Sequence, residues 1–214
     1  MPKETFFNLP EKKRRRIIKS AEEEFAAYPF RQASVARIIK RSGIASGSFY
    51  QYFRDKFDLY EYITESFFDM KLRRLAPLIS AERDRSFFDT FKDLYAESLK
   101  LARENPRLEA ISGHLYRDKE LLSRQLYGIE SRALGFYREM LKRGIRQGDL
   151  KKDIDIEFTS YILFKLGASV NEYIMERTSL KNWDMKIVDR MIDFMEDGIG
   201  KKGDIITVVN KNRR

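Results

Sequence analysis

Along the 214 residues, apolar positions recur every three or four places and almost never alternate in twos, the period of helices that bury one face. The first such stretch runs from about Glu11 to Ala27. Ile17, Ile18, Ala21 and Phe25 lie on one side, with Lys12, Arg15, Arg16 and Lys19 elsewhere. Tyr28-Pro29 ends it, because proline cannot continue the hydrogen-bond ladder. Ser34 is placed to cap a short helix over Val35–Ser42, and Gly43 supplies the positive-φ turn at its end. A third short helix is expected from about Ala45 to Phe53. A fourth, from about Lys56 to Leu75, carries Tyr60, Ile63, Phe67 and Met70 and is closed by Pro77.

Longer stripes follow. Phe87, Phe91, Leu94 and Leu101 mark a helix that ends before Asn105-Pro106, and Leu122, Leu126, Ile129, Ala133, Phe136 and Met140 mark one that stops near Gly144–Gly148. Phe158, Ile162, Leu166, Val170 and Tyr173 mark the next, and Ile187, Met191, Phe194 and Met195 the last. Alternating stripes of this kind describe an antiparallel helical bundle. The β-like run Ile205–Val209 reads as a frayed tail or a local strand. The expected fold is therefore all-α, with an N-terminal unit over 1–56, a bundle over 57–203 and a basic tail over 204–214. The boundary between unit and bundle falls inside the fourth helix.

Composition removes several chemistries. Cysteine is absent and His114 is the sole histidine, which excludes disulfide frameworks, Cys/His zinc sites and cysteine nucleophiles. No carboxylate set has metal-ligand spacing, and no GxSxG elbow occurs, so no catalytic residue, metal or cofactor is expected. Gly198–Gly203 matches GxGxxG in letters, but a helix precedes it where the dinucleotide fold needs a strand. Met1–Pro10 lacks the apolar core of a leader, and the apolar run Tyr161–Val170 is broken by Lys165. A soluble cytoplasmic protein with no membrane partner is expected.

The net charge of +9 is unevenly placed. Residues 1–56 carry +7 and residues 200–214 carry +4, while the body carries −2. A basic head on a nearly neutral body suits a polyanion partner, although charge alone fits a solubilising surface equally well. The pattern within the head decides. Three short helices, the second and third joined by a glycine turn, form a helix-turn-helix, whose last helix enters the DNA major groove. Ala45, Ser46, Gly47 and Ser48 are small enough for close approach to bases, Phe49 and Phe53 return to the core, and Tyr50, Gln51 and Tyr52 lie between them. Lys56, at the start of the next helix, is placed to face a phosphate.

The run SVARIIKRSGIASGSFYQYFRDKFDLY resembles the DNA-binding segment of the tetracycline-repressor (TetR) family of bacterial transcriptional regulators. RIIKSAEEEFAAYPF is similar to that family's first helix, and GIRQGDLKKDID to the loop between its seventh and eighth helices. The resemblance implies a homodimer of all-helical subunits on a near-palindromic double-stranded operator, with a C-terminal domain for ligand binding and dimerisation. It implies base contacts from Ser46, Gly47 and Ser48, and sugar-phosphate contacts from Tyr50, Gln51, Tyr52 and Lys56. Three positions depart from the family pattern: Arg37 stands where an acidic residue usually completes a capping box, Ala45 where a polar cap is usual, and Ser46 where lysine is frequent. Arg37 is accordingly expected to face DNA.

For the body, the aromatic content suggests a pocket for a small apolar effector, with Phe67, Phe91, Tyr95, His114, Phe136 and Tyr161 as candidate lining. Dimerisation is expected through about 154–177, where Gly167, Ala168 and Ser169 admit a close partner, and 184–199, whose apolar residues lie on more than one side. The leading reading is a ligand-released repressor. A helical carrier or enzyme with an incidental basic head, and an architectural DNA binder without effector, are the alternatives.

Overall fold

The computed structural model describes residues 1–80, 85–177 and 185–199, and these are all-α, with no strand among them. The helices are α1 (Glu4–Phe7), α2 (Glu11–Ala27), α3 (Val35–Ser42), α4 (Ser46–Tyr52), α5 (Lys56–Ser80), α6 (Phe87–Glu104), α7 (Pro106–Arg117), α8 (Lys119–Gln147), α9 (Ile156–Arg177) and α10 (Lys186–Ile199). Local chemistry sets their ends. The Ser34 hydroxyl accepts the Arg37 N–H at 3.4 Å, Ser86 accepts from Asp89 at 3.0 Å, and Asp118 accepts from Leu121 at 3.1 Å. Gly43 and Gly148 close α3 and α8 with φ of 62° and 84°, a region that favours glycine. The basic tail, the run Ile205–Val209 and Gly200–Gly203 lie outside the described residues.

Three features differ from the sequence-based expectation. The first is α1, too short to show a period. It forms because Phe6 is buried against Phe53 and Tyr62, while the Lys3 N–H (2.8 Å) and the Thr5 hydroxyl donate to the Tyr52 and Gln51 carbonyls at the end of α4. The second is α7, which begins at Pro106; proline there reads as a stop but fits the first helical position, where its missing N–H costs nothing. The third is Pro77, which does not close α5. It sits on the exposed side of the last turn, and the helix runs on to Ser80 because the Arg143 guanidinium donates to the Leu78 and Ile79 carbonyls at 3.0 and 3.1 Å.

Two apolar clusters organise the molecule. The first joins Ile17, Phe25, Ile38, Phe49, Phe53 and Tyr60 with Ile111 from α7 and Leu121 from α8. The second joins Phe87, Phe91, Met140, Leu141, Leu163, Val188 and Met191. Helix α5, about 37 Å long at 1.5 Å per residue, contributes Leu59, Tyr60 and Ile63 to one and Leu75 to the other. No described helix is long and apolar enough to cross a membrane.

Near the end of α8, a methyl group on Gly144 would stand 2.8 Å from Leu150 Cδ1 and 2.9 Å from Phe87 Cδ2. Gly144→Ala is expected to lower unfolding free energy by about 1–3 kcal/mol through overpacking. Urea denaturation checks this, and an unchanged midpoint would show that the two side chains simply move aside.

Candidate nucleic-acid interface and ligand cavity

The DNA-facing unit is organised around Glu24 on α2, whose side chain is fully buried. Its Oε1 accepts the Ser34 N–H at 2.8 Å and Arg37 Nε at 2.8 Å, and Arg37 Nη2 lies 2.5 Å away. A capping box needs a carboxylate that reaches back to the N–H of the cap residue. Helix α3 lacks that acid in sequence, and Glu24 supplies it from the neighbouring helix. Burial raises the Glu24 pKa, but the hydrogen bonds from Arg37 and Ser34 outweigh it, so the group lies below its ordinary value of 4.5.

This arrangement corrects the expectation for Arg37. Its guanidinium is committed to Glu24, to the Gln32 carbonyl at 3.0 Å and to the face of Tyr28, 4.3 Å from the ring centroid. Lys56 is likewise not free to meet a phosphate. Its ammonium donates to the Phe30, Ala33 and Arg31 carbonyls at 2.6, 2.9 and 3.4 Å, and so ties the α2–α3 loop to the start of α5. Burial lowers its pKa below the ordinary 10.5 against the pull of Glu24. Tyr52 is also core: it is 5% exposed, and its hydroxyl accepts from Lys13 at 3.2 Å. Sequence reasoning missed these roles because they depend on partners up to 39 positions away.

The remaining expected contacts do reach the surface. Ser46, Gly47 and Gln51 are exposed, Ser48 is half-buried and Tyr50 is 57% exposed. Phe49 and Phe53 are fully buried beneath them. A methyl group on Gly47 would meet nothing within 4 Å, so no internal packing requires glycine there. Among the described residues, the exposed Lys12, Arg16, Lys19 and Lys40 of α2 and α3 have no ion-pair partner.

In the body, α5 to α9 enclose a cavity of about 250 Å³. Phe67, Phe91, Tyr95 and Phe136 line it. His114 and Tyr161 do not. The His114 ring bonds the Ala26 carbonyl at 3.2 Å and joins α7 to α2, whereas Tyr161 is 43% exposed on the outer side of α9 with Lys165 against its ring. Gly167 and Ala168 line the cavity, and a methyl on Gly167 would lie 3.2 Å from the Tyr137 hydroxyl. Sequence stripes did not flag Lys71 and Glu109, two charged residues on the same wall.

The cavity and the DNA-facing unit are tied directly. Thr64 on α5 donates to Gln125 Oε1 on α8 at 2.7 Å, and both line the cavity. Arg31 in the α2–α3 loop pairs with Asp118 at 3.1 Å and Glu120 at 2.8 Å, at the start of α8.

Comparison with known proteins agrees with this geometry. The profile for "Bacterial regulatory proteins, tetR family" matches residues 17–63, the segment that holds α3, α4 and the Glu24 network. The likeness to that family's model is confined to this segment. The uncharacterized HTH-type transcriptional regulator YdgC of Bacillus subtilis is 34% identical over 80 residues, 37% of this chain and 40% of that relative's length. A TetR family transcriptional regulator from Chloroflexus aurantiacus is 27% identical, with a TM-score of 0.57 over 94% of this chain and all of that one. SmeT, the repressor of the Stenotrophomonas maltophilia multidrug efflux pump SmeDEF, is 20% identical and shares the fold, with a TM-score of 0.67 over 88% of this chain and 91% of that one.

Removing the acid from this segment gives a test. Glu24→Gln is expected to cost about 1–3 kcal/mol at pH 7, since a buried ionic hydrogen-bond set loses its charge. Because the folded pKa is lowered, this contribution is complete above pH 4.5 and is lost as pH falls through the folded value. The wild-type advantage in chemical denaturation should therefore vanish in acid, and a constant difference down to pH 3 would contradict the assignment. Lys56→Met should also destabilise, by about 1–2 kcal/mol, as three carbonyls lose their donor.

Proposed function

We propose that the chain is a transcriptional repressor that binds a near-palindromic double-stranded operator as a homodimer and is released by a largely apolar small molecule in the body cavity. In this reading it acts in the cytoplasm, without cofactor and without enzymatic activity. The observation that carries it is the surface of α4, small and polar at its exposed start and backed by a buried aromatic base. A carrier or enzyme would have no use for a glycine at position 47 that its own fold does not need. The likeness to SmeT supports a repressor.

Ser46, Gly47 and Ser48 are assigned to base edges, and Tyr50 and Gln51 to the backbone beside them. Phosphate neutralisation falls to Lys12, Arg16, Lys19 and Lys40, not to Lys56. The dimer is assigned to the outer faces of α9 and α10. Val188, Met191, Ile192 and Met195 are buried in their own subunit, whereas Phe158, Tyr161, Ile162, Tyr173 and Phe194 stand 42–73% exposed. Release runs through α5, whose Phe67 borders the cavity about 16 Å along the helix from Lys56. A ligand that binds the tilted position of α5 more tightly would respace the two recognition helices.

Gly47→Ala separates fold from function. It should leave stability unchanged or raise it by about 0.5–1 kcal/mol, from helix propensity, while weakening operator binding at least tenfold. Fluorescence anisotropy with a labelled site measures the second effect, and undiminished affinity would remove α4 from the groove. If the dimer neutralises about 6–10 phosphates, affinity should fall ~10³–10⁵-fold between 50 and 200 mM salt, with a slope that Lys56→Met leaves alone. Ile162→Lys should give monomers in sedimentation; a stable dimer would place the interface elsewhere.

A further inference from the structure

Helix α4 is seven residues long and closes without the usual local devices. A helix of two turns is too short to hold its form alone in water, and its last carbonyls have no partner within it. Ala45, before its first residue, offers no side-chain cap, and Phe53, after its last, is extended backbone in place of a closing glycine. The Phe49 carbonyl accepts the Phe53 N–H at 2.9 Å. The three carbonyls that remain, those of Tyr50, Gln51 and Tyr52, are all taken at the start of α1. Lys3 Nζ donates to Tyr50 at 2.8 Å, the Thr5 hydroxyl donates to Gln51, and the Lys3 N–H donates to Tyr52 at 2.8 Å.

The segment that supplies these donors is itself held in place. Phe6 is buried, its ring 4.9 Å from that of Phe53 and 5.7 Å from that of Tyr62 on α5. Arg14 on α2 donates to the Phe7 carbonyl at 2.5 Å. Helix α4 is thus gripped at its start by the turn from α3 and at its end by a strut that rests on α2 and α5. The Lys3 ammonium also stands at the negative end of the helix dipole, where a cation is favourable.

We propose that Lys3 and Thr5 are positioning residues for DNA reading: by holding the last carbonyls of α4 they set the direction of Tyr50 and Gln51 and hence the register of α4 in the groove. The proposal rests on α4 being the helix that meets DNA. Fixing a carbonyl fixes its planar peptide unit, and with it the directions of the side chains on either side. Tyr50 and Gln51 are exposed, so their direction depends chiefly on the backbone that carries them. An end that frays in the free protein must be ordered on the DNA, at a cost in affinity. That cost falls on the sequence-specific complex, because non-specific binding needs phosphate contacts alone.

The test uses the full chain and two labelled duplexes, one carrying a site selected from random DNA and one with that site scrambled. Lys3→Met with Thr5→Val removes both side-chain donors and leaves the Phe6 anchor untouched. Affinity for the selected site should fall about tenfold and affinity for the scrambled duplex less than about twofold, with the salt slope unchanged. Amide hydrogen exchange at residues 50–53 should speed up about tenfold while α2 and α3 keep their protection. Lys3→Arg with Thr5→Ser keeps the donors and should retain both preference and protection. Should the first pair unfold the unit, Thr5→Val alone is read on the same two duplexes. Equal loss on both duplexes with a flatter salt slope would overturn the proposal and make Lys3 a phosphate contact. Undiminished preference for the selected site would overturn it whatever the exchange rates. A wild-type chain that enriches no site would overturn the functional reading, and the proposal with it.

Discussion

Glu24 is a carboxylate with no access to water, held at the meeting of α2, the cap of α3 and the guanidinium of Arg37. Its Oε1 takes the Ser34 N–H and the Arg37 guanidinium, while Oε2 has no hydrogen bond and lies 3.7 Å from Arg41 Nη1, so the buried charge is tolerated only with these partners at fixed places around it. That constraint orients α3, and through the Gly43 turn it orients α4. Lys56 then ties the loop between α2 and α3 to α5 through three backbone carbonyls. The position of α4 relative to the long helix beneath it therefore rests on two charged side chains committed to other groups of the protein.

The same economy links the head to the body. Helices α7 and α8 lend Ile111 and Leu121 to the first apolar cluster, so the DNA-facing unit does not end where its own helices end. The Arg31 pairs with Asp118 and Glu120 cross the junction at a further point. The Arg31 pairs are exposed and contribute little to stability alone. Their importance is geometric: they couple the α2–α3 loop to the start of the helix that also forms a cavity wall. A ligand that alters the packing of α8 or α5 is thus in contact with the supports of α3 and α4.

Much of this was legible in the sequence. The bounds of α2, α3 and α4 follow from apolar spacing, Ser34 and Gly43, all local signals, and the aromatic stripes of α5, α6 and α8 correctly indicate a shared interior. What the sequence hides is side-chain partnership at long range. Arg37 stands where an acid is usual, and only the structure reveals that Glu24 takes the acid's place while Arg37 becomes its counter-ion. Lys56, Tyr52, Gly167 and Ala168 each have a plausible outward role by position and turn inward instead. Pro106 and Pro77 look like stops because their tolerance depends on helix position and, for Pro77, on Arg143, 65 residues from the Leu78 carbonyl it meets.

The account stands or falls on α4 reading a defined DNA sequence as one half of a symmetric pair. Selection of bound sites from a pool of random duplexes, followed by sequencing, measures this directly and needs no operator to be known in advance. The expected result is one enriched near-palindromic motif whose half-sites are separated by a whole number of helical turns, about 10–10.5 base pairs or a multiple. A folded protein that retains DNA at low salt but enriches no motif would contradict the account, leaving the basic head as a non-specific polyanion surface.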